Sequence, residues 1–110
     1  MIAPSHSFKL WIAGDYASAI TATREWCAGR GDCYAVSACD FVYTGGAESG
    51  VCITRINYGR FPAEKDDLFE HVVKYGHFMA ARLFQKSFSI EGPDYTEYFA
   101  VDNTVYSNNS

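Results

Sequence analysis

The chain has 110 residues, of which 48% are hydrophobic, and a chain of this size can bury a core without disulfide or metal staples. Nine basic and thirteen acidic residues give a net charge of −4 with no cluster of cations, which argues against nucleic-acid binding. No run approaches the roughly 18 apolar residues of a membrane span, and the N-terminus lacks a secretory signal, so no membrane association and a cytoplasmic location are expected.

The first elements are a strand and a helix. Hydrophobic residues alternate from Phe8 to Ile12, which predicts a strand that ends at Gly14. Asp15 follows as an N-cap, and an apolar stripe along residues 16–28 predicts a helix that Gly29 and Gly31 end.

Residues 33–58 are rich in Val, Ile, Tyr, Phe and Thr, which suit strands, and glycines interrupt them at the centre. This pattern predicts a β-hairpin whose turn lies between Thr44 and Gly50. The hairpin is the stretch around which the other elements are expected to pack.

A second helix of about 22 residues is predicted to begin with Pro62 as its first residue, because proline there loses no helical hydrogen bond. Gly76 inside this helix suggests close approach to a neighbouring element.

Ser87–Glu91 alternates as a fourth strand, and a short edge strand is expected within 95–106. We expect one domain over residues 1–110, with disordered ends at 1–6 and 107–110.

The predicted order β-α-β-β-α-β is typical of the ferredoxin-like α+β sandwich. Such a two-layer fold has an antiparallel four-stranded sheet in the order 4-1-3-2, with both helices on one face. The possible fifth strand would lie at an edge of this sheet.

The strands are apolar on both faces, although two helices on one side of a sheet cover only one face. A self-associating protein, a homo-oligomer, is therefore expected, although the aromatic C-terminal residues offer another cover. The aromatic residues expected at the interface are Trp11, Tyr34, Phe41 and Tyr43.

Three segments, Phe8–Asp15, Tyr43–Val51 and Asn57–Pro62, resemble a group of small bacteriophage-encoded proteins that have no assigned activity. The resemblance covers residues 8–98 and implies a phage accessory protein made inside an infected bacterium. The location that it implies is the cytoplasm of the host cell.

Two loops are candidate ligand-binding sites. Asn57, Tyr58 and Arg60 combine an amide, an aromatic plane and a guanidinium, which suit a nucleotide or another anion, although Arg60 can instead pair with acids at the helix start. The hairpin turn presents backbone N–H groups that can hold an anion, but its glycines are also ordinary turn residues. Its candidate residues are Thr44, Gly45, Gly46 and Glu48.

No catalytic residue, metal site or cofactor is predicted. His71 and His77 lie six positions apart on a helix and so do not share a face, which argues against a metal site. Asp40 and Arg55 are expected to pair across the hairpin.

The function predicted from these features is that of a non-catalytic phage protein that binds a host component and counteracts antiviral defence. It would block a host defence protein with its aromatic sheet face or sequester a small nucleotide signal. One alternative is a small nucleotide-processing enzyme with Glu48 or Asp15 as general base. Another is a structural or assembly protein of the virion.

Overall fold

The computed structural model describes residues 1–101. Two helices, α1 and α2, pack on a five-stranded antiparallel sheet, which confirms the predicted α+β sandwich. The elements in chain order are β1 (Ser7–Ala13), α1 (Tyr16–Cys27), β2 (Ala35–Tyr43), β3 (Gly46–Ile56), α2 (Lys65–Arg82), β4 (Ser87–Glu91) and β5 (Thr96–Ala100).

The sheet has the order β2-β3-β1-β4-β5, which contains the predicted order 4-1-3-2 and adds β5 as an edge strand beside β4. β1 is antiparallel to β3, with Leu10 opposite Ile53 and Ala13 opposite Gly50. The β2–β3 hairpin continues beyond this point to Tyr43 opposite Gly46. The hairpin turn therefore projects past the end of β1.

One face of the sheet forms the core with the helices. Alternate residues of the strands point to this face, as a period of two requires. The largest fully buried side chains are Tyr75, Leu10, Ile12, Ile53, Met79, Ile90, Val51 and Val72. Within residues 1–101, both helices lie on this face, and the opposite face carries Trp11 and the second set of strand side chains.

The caps show which helix boundaries were predicted correctly. Asp15 is the N-cap of α1, where its carboxylate accepts from the backbone N–H of Ser18 at 2.9 Å. The predicted start of α2 at Pro62 is wrong, because the helix begins at Lys65. The reason is that the Asn57 side chain accepts from the Ala63 N–H at 2.8 Å, and the N-cap Glu64 has extended backbone angles, with φ −68° and ψ 149°.

β5 confirms the predicted edge strand over Thr96–Ala100. The remainder of the predicted 95–106 segment after residue 101, and the expected disordered end at 107–110, lie outside the described residues. No helix in the described part of the chain is long and apolar enough to cross a membrane.

Candidate functional site

The loop between α1 and β2 buries a carboxylate. Gly29 and Gly31 take positive φ angles of 76° and 67°, so the chain turns sharply after α1 and carries Asp32 back beneath the helices. Only 3% of the Asp32 side chain is exposed. Since a buried carboxylate is costly unless donors surround it, the partners of Asp32 define the centre of the site.

Three donors bind the Asp32 carboxylate. The ring nitrogen Nε2 of His71 lies 2.6 Å from Oδ2, the indole N–H of Trp26 donates at 3.0 Å, and the backbone N–H of Cys33 donates to Oδ1 at 3.0 Å. Burial raises the pKa of Asp32, but the hydrogen bonds from His71 and Trp26 outweigh it and hold this pKa below its usual value. Asp32 is therefore ionised at neutral pH.

Arg55 supplies the balancing positive charge. Its Nε lies 3.2 Å from Asp32 Oδ1 but without hydrogen-bond geometry, while Nη1 donates to the Ile56 carbonyl at 2.7 Å. The guanidinium lies 5.0 Å from the ring centre of Tyr58 and 5.5 Å from that of Phe61. Arg55 is 6% exposed, so this ion pair is shielded from water. The expected pairing of Arg55 with Asp40 is wrong, because Asp40 lies opposite Ser49 in the hairpin.

Tyr34 lies beside the ion pair on the helix-covered side of the sheet. Its ring stacks on Tyr75 with centroids 4.0 Å apart, and burial raises the pKa of its phenol, so the group stays protonated. The buried Tyr34 hydroxyl has no hydrogen-bond partner within residues 1–101. By contrast, the Tyr75 hydroxyl lies 2.6 Å from the Thr23 hydroxyl. This hydroxyl is enclosed by protein near the Asp32 carboxylate, which also contributes to its raised pKa, so it reaches a ligand in the groove only after a shift of the Tyr34 side chain.

A groove of about 280 Å³ opens next to these residues, between α1 and the start of β2. Most of its wall is apolar, and its polar groups come from both elements and the connecting loop. The lining residues are Ile20, Thr23, Arg24, Cys27, Asp32, Cys33, Tyr34 and Val36. Burial raises the pKa of the Cys27 thiol, which disfavours its reactive thiolate form. The groove therefore suits a partly apolar ligand, and Arg24 and Asp32 add one charge of each sign to its wall.

The first predicted ligand site borders this cluster. Tyr58 packs on Phe61 and Arg55, and a hydrogen bond with Cys33, together with burial, raises the pKa of Tyr58 to about 12. The amide of Asn57 holds the chain itself, donating to the Pro4 carbonyl at 2.9 Å and accepting from Ala63. Arg60 is exposed. Ligand binding by Asn57, Tyr58 and Arg60 remains a prediction.

The second predicted ligand site is distant from the first. The hairpin turn and the 57–60 loop lie at opposite ends of β3, which at about 3.3 Å per residue separates them by roughly 30 Å. Every residue of the predicted turn site is exposed; its members are Thr44, Gly45, Gly46 and Glu48. The structure therefore does not bring the two predicted sites together in one chain, and a role for the turn stays a prediction.

The four aromatic residues predicted to form an interface do not share a face. Trp11 and Phe41 are neighbours on the open face, with ring centroids 6.4 Å apart, and Tyr43 there is 56% exposed. Tyr34 lies on the opposite, helix-covered face against Tyr75. The predicted oligomeric interface is untested for all four residues.

Sequence reasoning missed Asp32, Trp26 and His71 as members of a site. The available signal was the Gly31–Asp32 pair at the end of a helix, where a turn can bury a carboxylate. His71 lies 39 positions away from Asp32, so no local pattern connects the two. Residues 1–101 contain no group of His, Cys, Asp and Glu suited to hold a metal ion, and the absence of a metal remains a prediction.

Comparison with known proteins gives a structural likeness. One solved structure, a phage SAM (S-adenosylmethionine) lyase in complex with S-methyl-5'-thioadenosine, superposes with a TM-score of 0.72 at 15% identity, covering 93% of this chain and 94% of that chain. A structure of a phage SAM lyase without ligand gives a TM-score of 0.68 at 17% identity, covering 88% and 90%. No family model and no curated protein sequence matches the chain.

At these identities the likeness establishes the fold. Both structures are of phage proteins, which agrees with the resemblance to a bacteriophage group. They are also structures of an enzyme, matched over nearly the whole chain. The predictions that this protein is not an enzyme and that it acts as a non-catalytic binder of a host component are therefore wrong. The alternative of a small nucleotide-processing enzyme is favoured instead.

Proposed function

We propose that this protein is a lyase that cleaves S-adenosylmethionine, or a closely related sulfonium nucleoside, and releases S-methyl-5'-thioadenosine. The observation that carries the proposal is the superposition on a phage SAM lyase with S-methyl-5'-thioadenosine bound, over 93% of this chain. A groove of about 280 Å³ beside a buried ion pair supports it, since small-molecule sites are concave and mostly apolar with a few placed polar groups.

The reaction breaks the bond between the sulfonium sulfur and Cγ of the aminobutyrate group. Both electrons of that bond go to sulfur, which becomes the neutral thioether of S-methyl-5'-thioadenosine. In a lyase no water adds to the product, so Cγ must replace its lost bond to sulfur with a bond to another atom of the aminobutyrate fragment. Either its own carboxylate oxygen bonds to Cγ and forms a lactone, or a base removes a proton from Cβ and leaves an alkene.

The groove favours the lactone route. Asp32 already accepts from His71, Trp26 and the Cys33 backbone, so it is poorly placed to take a proton from a substrate. Cys27 stays protonated because burial raises its pKa. The lactone route needs no protein base, only a bound conformation that brings the carboxylate and Cγ together with sulfur opposite.

Each side chain then has a binding or positioning role. Tyr34 lines the groove, and its hydroxyl, which has no hydrogen-bond partner within residues 1–101, turns toward the substrate on binding and donates a hydrogen bond to it. Asp32 and Arg55 are positioning residues, because they hold the loop and the aromatic side chains next to the groove. Apolar walls exclude water, which favours a reaction that removes the charge from sulfur.

The direct test is incubation of the purified protein with S-adenosylmethionine, followed by liquid chromatography and mass spectrometry. The expected products are S-methyl-5'-thioadenosine and a fragment whose mass is lower than that of homoserine by one water. Homoserine as the first product would show hydrolysis and contradict the lyase assignment. No product above the protein-free control would overturn the proposed function.

Tyr34→Phe tests the site itself. It removes the hydroxyl and keeps the ring stack on Tyr75, so we expect kcat/KM to fall by about tenfold to a hundredfold, the effect of one lost hydrogen bond to substrate, with an unchanged melting temperature. Tyr16→Phe, on the exposed side of α1, is the matched control. Equal activities of the two variants would place the reaction outside this groove.

Arg60 extends the proposal to the 57–60 loop. Its exposed guanidinium is a candidate partner for the substrate carboxylate, with Tyr58 beside it as an aromatic surface. Arg60→Ala should raise KM several-fold with little change in stability. If Arg60 instead only pairs with the acids at the start of the helix, the same substitution would lower the melting temperature and leave KM unchanged.

A further inference from the structure

A second, smaller cavity lies away from the groove, where the start of α2 meets the turn between β4 and β5. Its volume is about 90 Å³. Three aromatic rings contribute to its wall, and charged side chains complete it. The residues that matter for the argument are Phe8, Lys65, Asp66, Phe69, Asp94 and Tyr95.

The three rings pack in a row along the cavity wall, with Phe69 between Phe8 and Tyr95. The Phe69 ring centroid lies 5.5 Å from that of Phe8 and 6.0 Å from that of Tyr95, with interplanar angles of 52° and 63°. Phe8 is 4% exposed and forms the floor, while Tyr95 is 59% exposed and forms the rim. Gly92 makes this arrangement possible, because a Cβ there would lie 2.8 Å from the Phe8 ring. Rings at these distances and angles pack edge against face, and together they form the aromatic part of the cavity wall.

The charges at the rim favour a cation. The Lys65 ammonium lies 2.6 Å from the Asp94 carboxylate, and both side chains are about half exposed, so the pair sits at the mouth. Asp66 adds a second carboxylate to the lining. With one cation and two anions, the lining has a net charge of −1 before any ligand binds.

We propose that this cavity is a binding site for a small alkylated onium cation, such as a trimethylammonium or dimethylsulfonium group. The faces of aromatic rings attract such cations, and carboxylates nearby add Coulomb attraction. A trimethylammonium group occupies a volume comparable to the cavity, and its methyl groups contact the rings while its charge faces Asp66 and Asp94. Within the lining, the Lys65 ammonium is the internal cation with which the ligand competes for Asp94.

Because Lys65 competes with the ligand for Asp94, substitutions of these two residues should change the affinity for the cation in opposite directions. Removing the charge of Lys65 by Lys65→Gln frees Asp94 and should tighten cation binding by several-fold. Asp94→Asn and Tyr95→Leu should each weaken it, by about tenfold, because one removes a carboxylate and the other an aromatic face. Tyr95→Leu keeps an apolar side chain at an exposed position, so it should not disturb folding.

The experiment uses choline as the probe, with 3,3-dimethylbutan-1-ol as its uncharged carbon isostere. Binding is followed by NMR titration at constant ionic strength, from the shifts of the aromatic signals and from NOEs between the probe methyl groups and the rings. We expect choline to bind at least tenfold more tightly than the alcohol, with NOEs to Phe69 and Tyr95. Lys74→Gln, on the exposed side of α2, is the matched control for Lys65→Gln.

Equal binding of the two probes would show a plain apolar cavity and overturn the proposal. So would equal effects of Lys65→Gln and Lys74→Gln, which would indicate a general change in net charge. The proposal does not rest on the lyase function, because choline has no sulfonium bond to cleave. A protein that binds choline without cleaving S-adenosylmethionine, or the reverse, separates the two conclusions.

Discussion

At the scale of single residues, Asp32 is the most constrained side chain of the candidate site. A buried ion pair adds little net stability, since desolvation of both charges offsets their attraction. Removing one partner is different, because it leaves the other charge buried and uncompensated. Arg55, at 6% exposure, would be that charge.

Asp32→Asn is therefore expected to lower the free energy of unfolding by about 3–5 kcal/mol at neutral pH. Asp40→Asn, at an exposed position of the hairpin, should change it by less than about 0.5 kcal/mol. Urea denaturation of both variants measures the difference. A loss below about 1 kcal/mol for Asp32→Asn would show that water reaches Arg55.

The same residue predicts an acid dependence. Because the pKa of Asp32 is lowered on folding, its stabilising effect is present above the unfolded value of about 4 and is lost as the pH falls through the folded value. The stability difference between the wild-type protein and Asp32→Asn should thus shrink on acidification below about pH 4. Urea midpoints across this range test it, and a constant difference would contradict the assignment.

At the scale of elements, the contact between α2 and β4 depends on a glycine. A Cβ at Gly76 would lie 2.5 Å from the Phe88 ring. That ring is 3% exposed and stacks on Phe99 at 5.0 Å, so it has little room to move. The close approach that the sequence suggested at Gly76 is therefore present.

Gly76→Ala should destabilise the protein by about 1–3 kcal/mol through overpacking, which exceeds the gain of about 1 kcal/mol in helix propensity. Pairing it with Phe88→Leu, which removes the clashing ring atoms, should cost less than the sum of the two single changes. Thermal unfolding of the three variants measures this coupling, and a stabilised Gly76→Ala would mean that the elements can separate.

At the end of α2, by contrast, a position that favours glycine carries a phenylalanine. Phe84 follows the helix with a φ of 58° and is 92% exposed, although this position commonly holds glycine. Phe84→Gly should raise stability by about 0.5–1 kcal/mol, since relief of left-handed strain exceeds the added chain entropy. Phe84→Ala, which keeps a Cβ, should show no gain. Equal melting temperatures of the two variants would contradict this explanation.

At the scale of the whole molecule, the sheet has one face that the helices leave uncovered within residues 1–101. This face carries the half-buried rings of Trp11 and Phe41, and the exposed rings of Tyr43 and Tyr98. The Trp11 indole N–H donates to Glu91 at 3.0 Å, which leaves the rest of the ring apolar. Association of two chains through this face would remove its apolar side chains from water, which is favourable.

We expect a mass above the 12.2 kDa of one chain in light scattering at micromolar concentration. Trp11→Glu should shift the mass toward the monomer without loss of the helical circular-dichroism signal. Tyr16→Glu, on the helix side, is the control for the added charge. A monomeric wild-type protein would remove the basis for an interface on this face.

The sequence by itself determined the elements whose information is local. Alternation in β1, the Asp15 cap and the existence of the hairpin each depend on neighbours along the chain, and the β-α-β-β-α-β order then restricts the sheet to few topologies. The predicted turn over Thr44–Gly50 was too long, because Gly46 already pairs with Tyr43 and the turn contains only Thr44 and Gly45. The tertiary structure decided the candidate site. Asp32 and His71 meet across 39 positions, and Asn57 holds Ala63 so that α2 starts late, because burying a charge or a backbone N–H forces the chain to bring donors and acceptors together from elsewhere.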